Sequence, residues 1–128
     1  MLILAIDSSS LVASAALVQE DAVIAEFTLN QKKTHSQILL PMIDELFKIT
    51  GINKNNIDAI AVAGGPGSFT GLRIGAATAK GLALALNVKI VNVPTIDAMA
   101  FGLACTEQLI CPIMDARRNQ VYTGIFEM

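Results

Sequence analysis

The chain has 128 residues, 53% of them hydrophobic and 16% charged, with a formal net charge of -2 and a mean hydropathy of +0.57. That length bounds it to one domain of ordinary size, and the apolar excess implies that some surface is spent on association. The slight negative charge excludes a chain that grips nucleic acid by itself, and the absence of Trp argues against a base-stacking platform.

Leu2–Ile6 is a short apolar run ending in Asp7-Ser8-Ser9-Ser10, a buried strand entering a polar turn. It lacks the basic segment and the length of a signal peptide, so it belongs to the fold. Leu11–Val18 reads as a second strand and Ala22–Asn30 as a third, joined at Gln19-Glu20-Asp21. Strands this close in sequence must pair as an antiparallel meander.

Thr34-His35-Ser36-Gln37 fits a capping box, with a helix running to about Thr50 and stopping at Gly51. Pro41 lies inside it and predicts a lost hydrogen bond and a kink. Leu39, Ile43, Leu46 and Phe47 suit a sheet-facing side, which leaves Ile38, Leu40, Met42 and Ile49 looking elsewhere. Asn53–Asn56 is a loop.

Ile57–Ala63 is a fourth strand, and Gly64-Gly65-Pro66-Gly67-Ser68-Phe69-Thr70-Gly71 leads from it into a helix over Leu72–Leu86. Four glycines in eight residues demand backbone shapes or close approaches that a Cβ would forbid. The helix is apolar nearly all round, with Arg73 and Lys80 as its charges, so it needs cover on two sides. It is too short and too charged for a good membrane span. Gly71, Gly75 and Ala79 recur every four residues and form a shallow ridge where another backbone can approach. Val88–Val93 is a further strand, and Pro94, at the first helical position, starts a helix to about Cys105. Ile110–Met114, Asp115–Gln120 and Val121–Phe126 form a strand, a turn and a strand that echo the opening of the chain. The chain therefore reads as the first part of something longer.

Chemistry-bearing clusters are few. Gly65 and Gly67, with Asp7, Ser8 and Ser9, suggest a nucleotide loop at a helix N-terminus. The spacing is too loose for a dinucleotide fingerprint, and Leu72-Arg73 stands where a P-loop needs Lys-Ser/Thr. Asp7 serves equally well as an acceptor for nearby backbone N–H groups. His35 has no companion ligand at helical spacing and reads as a solvated side chain. Cys105 and Cys111 lack C-x-x-C spacing and read as reduced, buried thiols, and one histidine supports no nucleophilic triad.

Ile3-Leu4-Ala5-Ile6-Asp7-Ser8-Ser9, Thr34-His35-Ser36 with Leu39-Leu40-Pro41, Gly64 through Gly75, and Met114-Asp115-Ala116-Arg117 resemble the bacterial TsaB (YeaZ) family. The resemblance runs through the whole chain in order, and the Gly-Pro-Gly-Ser-Phe-Thr-Gly-Leu-Arg stretch is its most specific part. It implies an α/β, actin-like and Hsp70-like ATPase (ribonuclease H-like) lobe, a mixed sheet with a three-stranded antiparallel meander plus helices. Residues 1–108 would be that lobe and 109–128 the opening hairpin of an incomplete second one. The family implies a non-catalytic cytoplasmic subunit of the machinery that makes threonylcarbamoyladenosine next to the tRNA anticodon. Its partners would be a TsaD-like catalytic paralogue and a TsaE-like P-loop ATPase, with a homodimer through the same helices and tRNA reached only through the complex. ATP and metal would sit on the partner subunits, with no cofactor on this chain and no membrane contact. The older name of glycoprotease finds no protease constellation here.

The residues and the resemblance meet at the two long helices. The expected partner surface is Ile38, Leu40, Met42, Ile49, Gly71, Arg73, Gly75, Ala76 and Ala79, and Asp7, Ser8, Ser9, Gly65 and Gly67 would be a vestigial nucleotide loop. Rival readings are an actin-like ATPase or kinase lobe binding ATP at that loop, a dinucleotide-binding oxidoreductase fragment, and a self-associating structural module.

Overall fold

The computed structural model describes residues 1–30 and 34–127, so the 109–128 unit is described as far as Glu127. Five strands form one sheet in the order β3-β2-β1-β4-β5. β1 (Leu2–Asp7), β2 (Ala13–Gln19) and β3 (Ala22–Leu29) make the antiparallel meander. β4 (Ala59–Ala63) lies parallel to β1 on its other side, and β5 (Lys89–Val93) lies parallel to β4 at the edge. Asp58 staples the β1–β4 seam: the Leu2 N–H donates to its carboxylate at 2.7 Å, and its own N–H donates to the Leu2 carbonyl at 2.9 Å.

Register puts one set of side chains on one face. Leu4 stands opposite Leu17 on β2 and Ile60 on β4, and Ile6 opposite Ala15 and Val62. All six are buried, and α1 (His35–Thr50) and α2 (Phe69–Leu86) lie side by side over them. α1 covers β2 and β3, whereas α2 covers β4 and reaches β1 and β5. Leu39, Ile43, Leu46 and Phe47 are buried as the periodicity of α1 requires.

Several local expectations change. β2 starts at Ala13, two residues later than its apolar run, because Ser10 and Val12 are tied in a local turn. The capping box does not form: the Thr34 hydroxyl lies 2.9 Å from that of Ser36, and the N-cap has no side-chain bond. Gly51 does close α1, at φ 69°, where its lack of a Cβ is needed. α2 starts three residues early, because the Ser68 hydroxyl accepts from the Gly71 N–H at 3.2 Å and caps it there.

Pro94 is the N-cap of α3 (Thr95–Phe101) rather than its first residue, and that helix is one turn shorter than expected. The terminal strands are β6 (Ile113–Arg117) and β7 (Gln120–Thr123), closed by a tight turn with Arg117, Arg118 and Asn119 at positive φ. The outer residues Ile110 and Phe126 meet only as an isolated bridge. Asp115 in β6 accepts the Arg117 N–H at 2.7 Å, as Asp7 accepts the Ser9 N–H at 2.8 Å after β1. Both cysteines are exposed rather than buried.

Candidate functional site

The glycine turn is explained by what this chain presses against it. A Cβ on Gly71 would run into the Ser8 carbonyl oxygen, and one on Gly67 would meet the Ser9 carbonyl and lie 2.8 Å from the Ser9 Cβ. Gly75 meets the Ser8 hydroxyl in the same way. The loop after β1 therefore seats itself on the first turns of α2. The Ser8 Oγ donates to the Gly71 carbonyl at 2.8 Å, and the Ser68 N–H donates to the Ser9 carbonyl at 2.6 Å. Ser8 and Ser9 are buried by this contact. Gly65, at φ 107°, turns the chain so that its carbonyl accepts from the Thr95 N–H at 2.8 Å.

Of the five residues expected to form a nucleotide loop, Asp7 thus holds a turn, Ser8 and Ser9 pack the helix, Gly67 permits that packing, and Gly65 turns the chain toward Thr95. An open phosphate cradle does not fit these residues, because the chain's own backbone occupies the approach. His35 completes the knot. It is half-buried rather than solvated, with its Nε2–H donating to the Ser10 carbonyl at 2.7 Å and its ring against Gly71.

The same contacts correct the expected partner surface. Gly71, Gly75 and Ala79 are buried and face inward, toward Ser8 and the sheet, so the small-residue ridge belongs to the core. Ile38 and Met42 are likewise buried, because α1 lies in the crevice between sheet and α2 and needs a wide apolar arc. Leu40 and Ile49 remain outside, 54% and 65% exposed. Nine positions separate them, half a turn of the helical wheel, so they flank a wet strip of Asp44, Glu45 and Lys48. Lys48 and Lys54 both bind the Asp44 carboxylate at 2.7 Å. Those bonds, Lys48 first, hold its carboxyl down at about 2, and the same contact raises the Lys48 ammonium.

The outward face of α2 is different. Ala77, Gly81 and Ala85 are exposed, and so are the larger Phe69 and Leu84, at 74% and 86%. Phe69 and Leu84, absent from the expected set, are the largest apolar groups on this face. Their helical positions relative to Gly71–Ala79 would have revealed them once the inward ridge was known. Arg73 lies over the Phe69 ring, 5.2 Å from its centroid. Arg73, Ala76 and Lys80 border a groove of about 400 Å³ whose floor is Val62, Ile90 and Asn92. The exposed apolar face is centred on α2, bounded on one side by α1 and on the other by this groove.

Known proteins place this arrangement. A family model for TsaD, tRNA N6-adenosine threonylcarbamoyltransferase, matches residues 22–128. The TsaB tRNA threonylcarbamoyladenosine biosynthesis proteins of Bacillus subtilis and Escherichia coli are 42% and 39% identical, each over 99% of this chain. The chain spans just over half the length of both, 56% and 55%. The solved structure of YeaZ from Pseudomonas aeruginosa superposes with a TM-score of 0.87 at 32% identity, covering 99% of this chain and 60% of that one. The sheet order and its helices are those of the actin-like, ribonuclease H-like fold.

Proposed function

This chain belongs to the TsaB (YeaZ) family of TsaD-related proteins, and on that premise we propose that it is a non-catalytic docking subunit in tRNA threonylcarbamoyladenosine biosynthesis. Its task is to bind and activate a TsaD-like catalytic paralogue through α2 and the flank of α1. The carrying observation is the exposed apolar face of α2, Phe69 and Leu84 around Ala77, Gly81 and Ala85, on a helix already fully packed on its other side. A face of that kind is stabilised by a partner, and interface cores favour such large apolar groups.

On this reading the chain holds no cofactor of its own, which the filled glycine turn supports. ATP and metal sit on the catalytic paralogue and on a TsaE-like ATPase that joins the complex in the cytoplasm. A homodimer through the same face is the resting form, and tRNA is met only through the complex. Residues 1–108 form the docking lobe and 109–128 open a second lobe; the matching aspartate turns at Asp7 and Asp115 support that division.

Reconstitution tests the proposal. Adding the chain to a purified TsaD-family subunit, TsaE-family ATPase, substrates and tRNA raises threonylcarbamoyladenosine formation. Leu84→Glu, Leu40→Glu and Ala76→Arg reduce binding to the subunit with the circular dichroism spectrum intact, Leu84→Glu most. Unchanged binding by all three, or no rise in modification with the wild-type chain, would refute it.

A further inference from the structure

The turn between β6 and β7 carries side chains that its backbone disfavours. Arg118 and Asn119 alone join the two strands, at φ 53° and 59°. A two-residue hairpin loop of that shape calls for Asn, Asp or Gly, and Arg118 stands at its first position. Arg117 precedes it at φ 65°, where the β6–β7 register shifts and a bulge of this kind takes glycine. Both arginines therefore hold a left-handed backbone that a Cβ opposes.

Neither guanidinium serves the fold in return. Among the described residues neither has an ion-pair or hydrogen-bond partner. Asp115, the nearest acid in sequence, turns a carboxylate oxygen to the Arg117 backbone N–H at 2.7 Å. Arg117, Arg118, Asn119 and Gln120 are all exposed, so the tip presents two cations and two amides with no apolar member.

We propose that this turn is a tRNA contact: Arg117 and Arg118 each bind a backbone phosphate, and Asn119 and Gln120 hydrogen-bond to phosphate or ribose oxygens. This rests on the docking reading and adds a substrate contact on this chain. Guanidinium groups beside amides are the side chains that hold phosphate and sugar oxygens. A protein partner is disfavoured, because an interface core needs apolar groups and this tip has none. Two cations on a chain of net charge -2 are too few to hold RNA alone. The contact therefore adds to the affinity of the assembled complex.

The test is Arg117→Gly/Arg118→Gly, which gives both positions the residue their backbone favours. Lys89→Gln removes an exposed cation elsewhere and is the control. Each chain is assembled with the TsaD-family subunit and TsaE-family ATPase, and tRNA binding is measured by filter retention across a salt series. The double variant melts no lower than the wild type and assembles normally. Its complex binds tRNA about fivefold or more weakly, and the slope of log affinity against log salt flattens by about 1.4–1.8, as two lost phosphate contacts require. Lys89→Gln weakens binding by less than about twofold. If the wild-type complex assembles but binds no tRNA, or the double variant matches it in affinity and slope, the turn assignment falls and the docking reading stands. A double variant that fails to assemble places the arginines on protein, one that melts lower places them in the fold, and an equal loss with Lys89→Gln reduces the effect to net charge; each overturns the RNA contact. If the wild-type chain does not join the subunit, the docking reading falls and the turn assignment with it.

Discussion

Two glycine-to-alanine substitutions in one helix should move stability in opposite directions. In α2 a Cβ at Gly81 meets nothing within 4 Å, whereas one at Gly71 would drive into the Ser8 backbone carbonyl. Helical propensity alone favours alanine at both sites by about 0.5–1 kcal/mol. At Gly71 that gain is outweighed by overpacking of about 1–3 kcal/mol and by the strained Ser8 hydroxyl bond to the Gly71 carbonyl, worth about 1 kcal/mol. Gly71→Ala is therefore less stable by about 2 kcal/mol, and Gly81→Ala more stable by about 1 kcal/mol. For a chain of this size the midpoint of thermal unfolding shifts by roughly 3–5 °C per kcal/mol. The expected changes are thus a fall of about 6–10 °C and a rise of about 3–5 °C. Urea and thermal unfolding followed by circular dichroism measure both. A Gly71→Ala protein as stable as the wild type would refute the claim that the β1 loop is wedged against α2.

Leu46 is fully buried under the sheet, so Leu46→Ala costs about 3 kcal/mol and lowers the urea midpoint by about 1–2 M. His35→Leu keeps the ring's volume but loses the bond to the Ser10 carbonyl, a loss of about 1 kcal/mol in the same melts. Asp44 gives a pH signature. Its folded carboxyl titrates at about 2 against an ordinary 3.8, so its contribution is complete above that ordinary value and disappears as pH falls through about 2. Asp44→Asn therefore unfolds at lower urea than the wild type at pH 6, and the gap closes toward pH 2 and in high salt. A gap independent of pH would exclude the two lysine bonds as its source.

The strand meander and the glycine stop of α1 were legible because each rests on local rules: alternation, turn residues and chain proximity; the mixed sheet was implied by the family resemblance, and the parallel pairing of β4 and β5 was not legible. The facing of the helices was not legible either. The Gly71–Gly75–Ala79 spacing announces a close approach, but only the folded chain says that the approaching atoms are the Ser8 and Ser9 backbone and hydroxyl. The burial of Ile38 and Met42 was not legible for a related reason. A helix wedged between a sheet and a second helix buries a broader arc than one lying on a sheet alone, and periodicity cannot tell the two apart. The boundaries of α2, β2 and β6 moved because single side chains set them: Ser68 as a cap, Ser10 in a turn, and positive φ at Arg117, Arg118 and Asn119.

The central position of β1 has a consequence during synthesis. The meander is complete by Leu29, yet the helices that cover its apolar face end at Thr50 and Leu86, and β1 stays unpaired on one side until β4 arrives. At about 5–20 residues per second the ribosome needs several seconds to deliver those parts. Through that interval Leu4, Ile6, Ala15 and Leu17 face water beside an open strand edge. The nascent chain is then a natural client for a holdase, and synonymous codons that slow translation between β3 and α2 should lower soluble yield without altering a single residue of the finished protein.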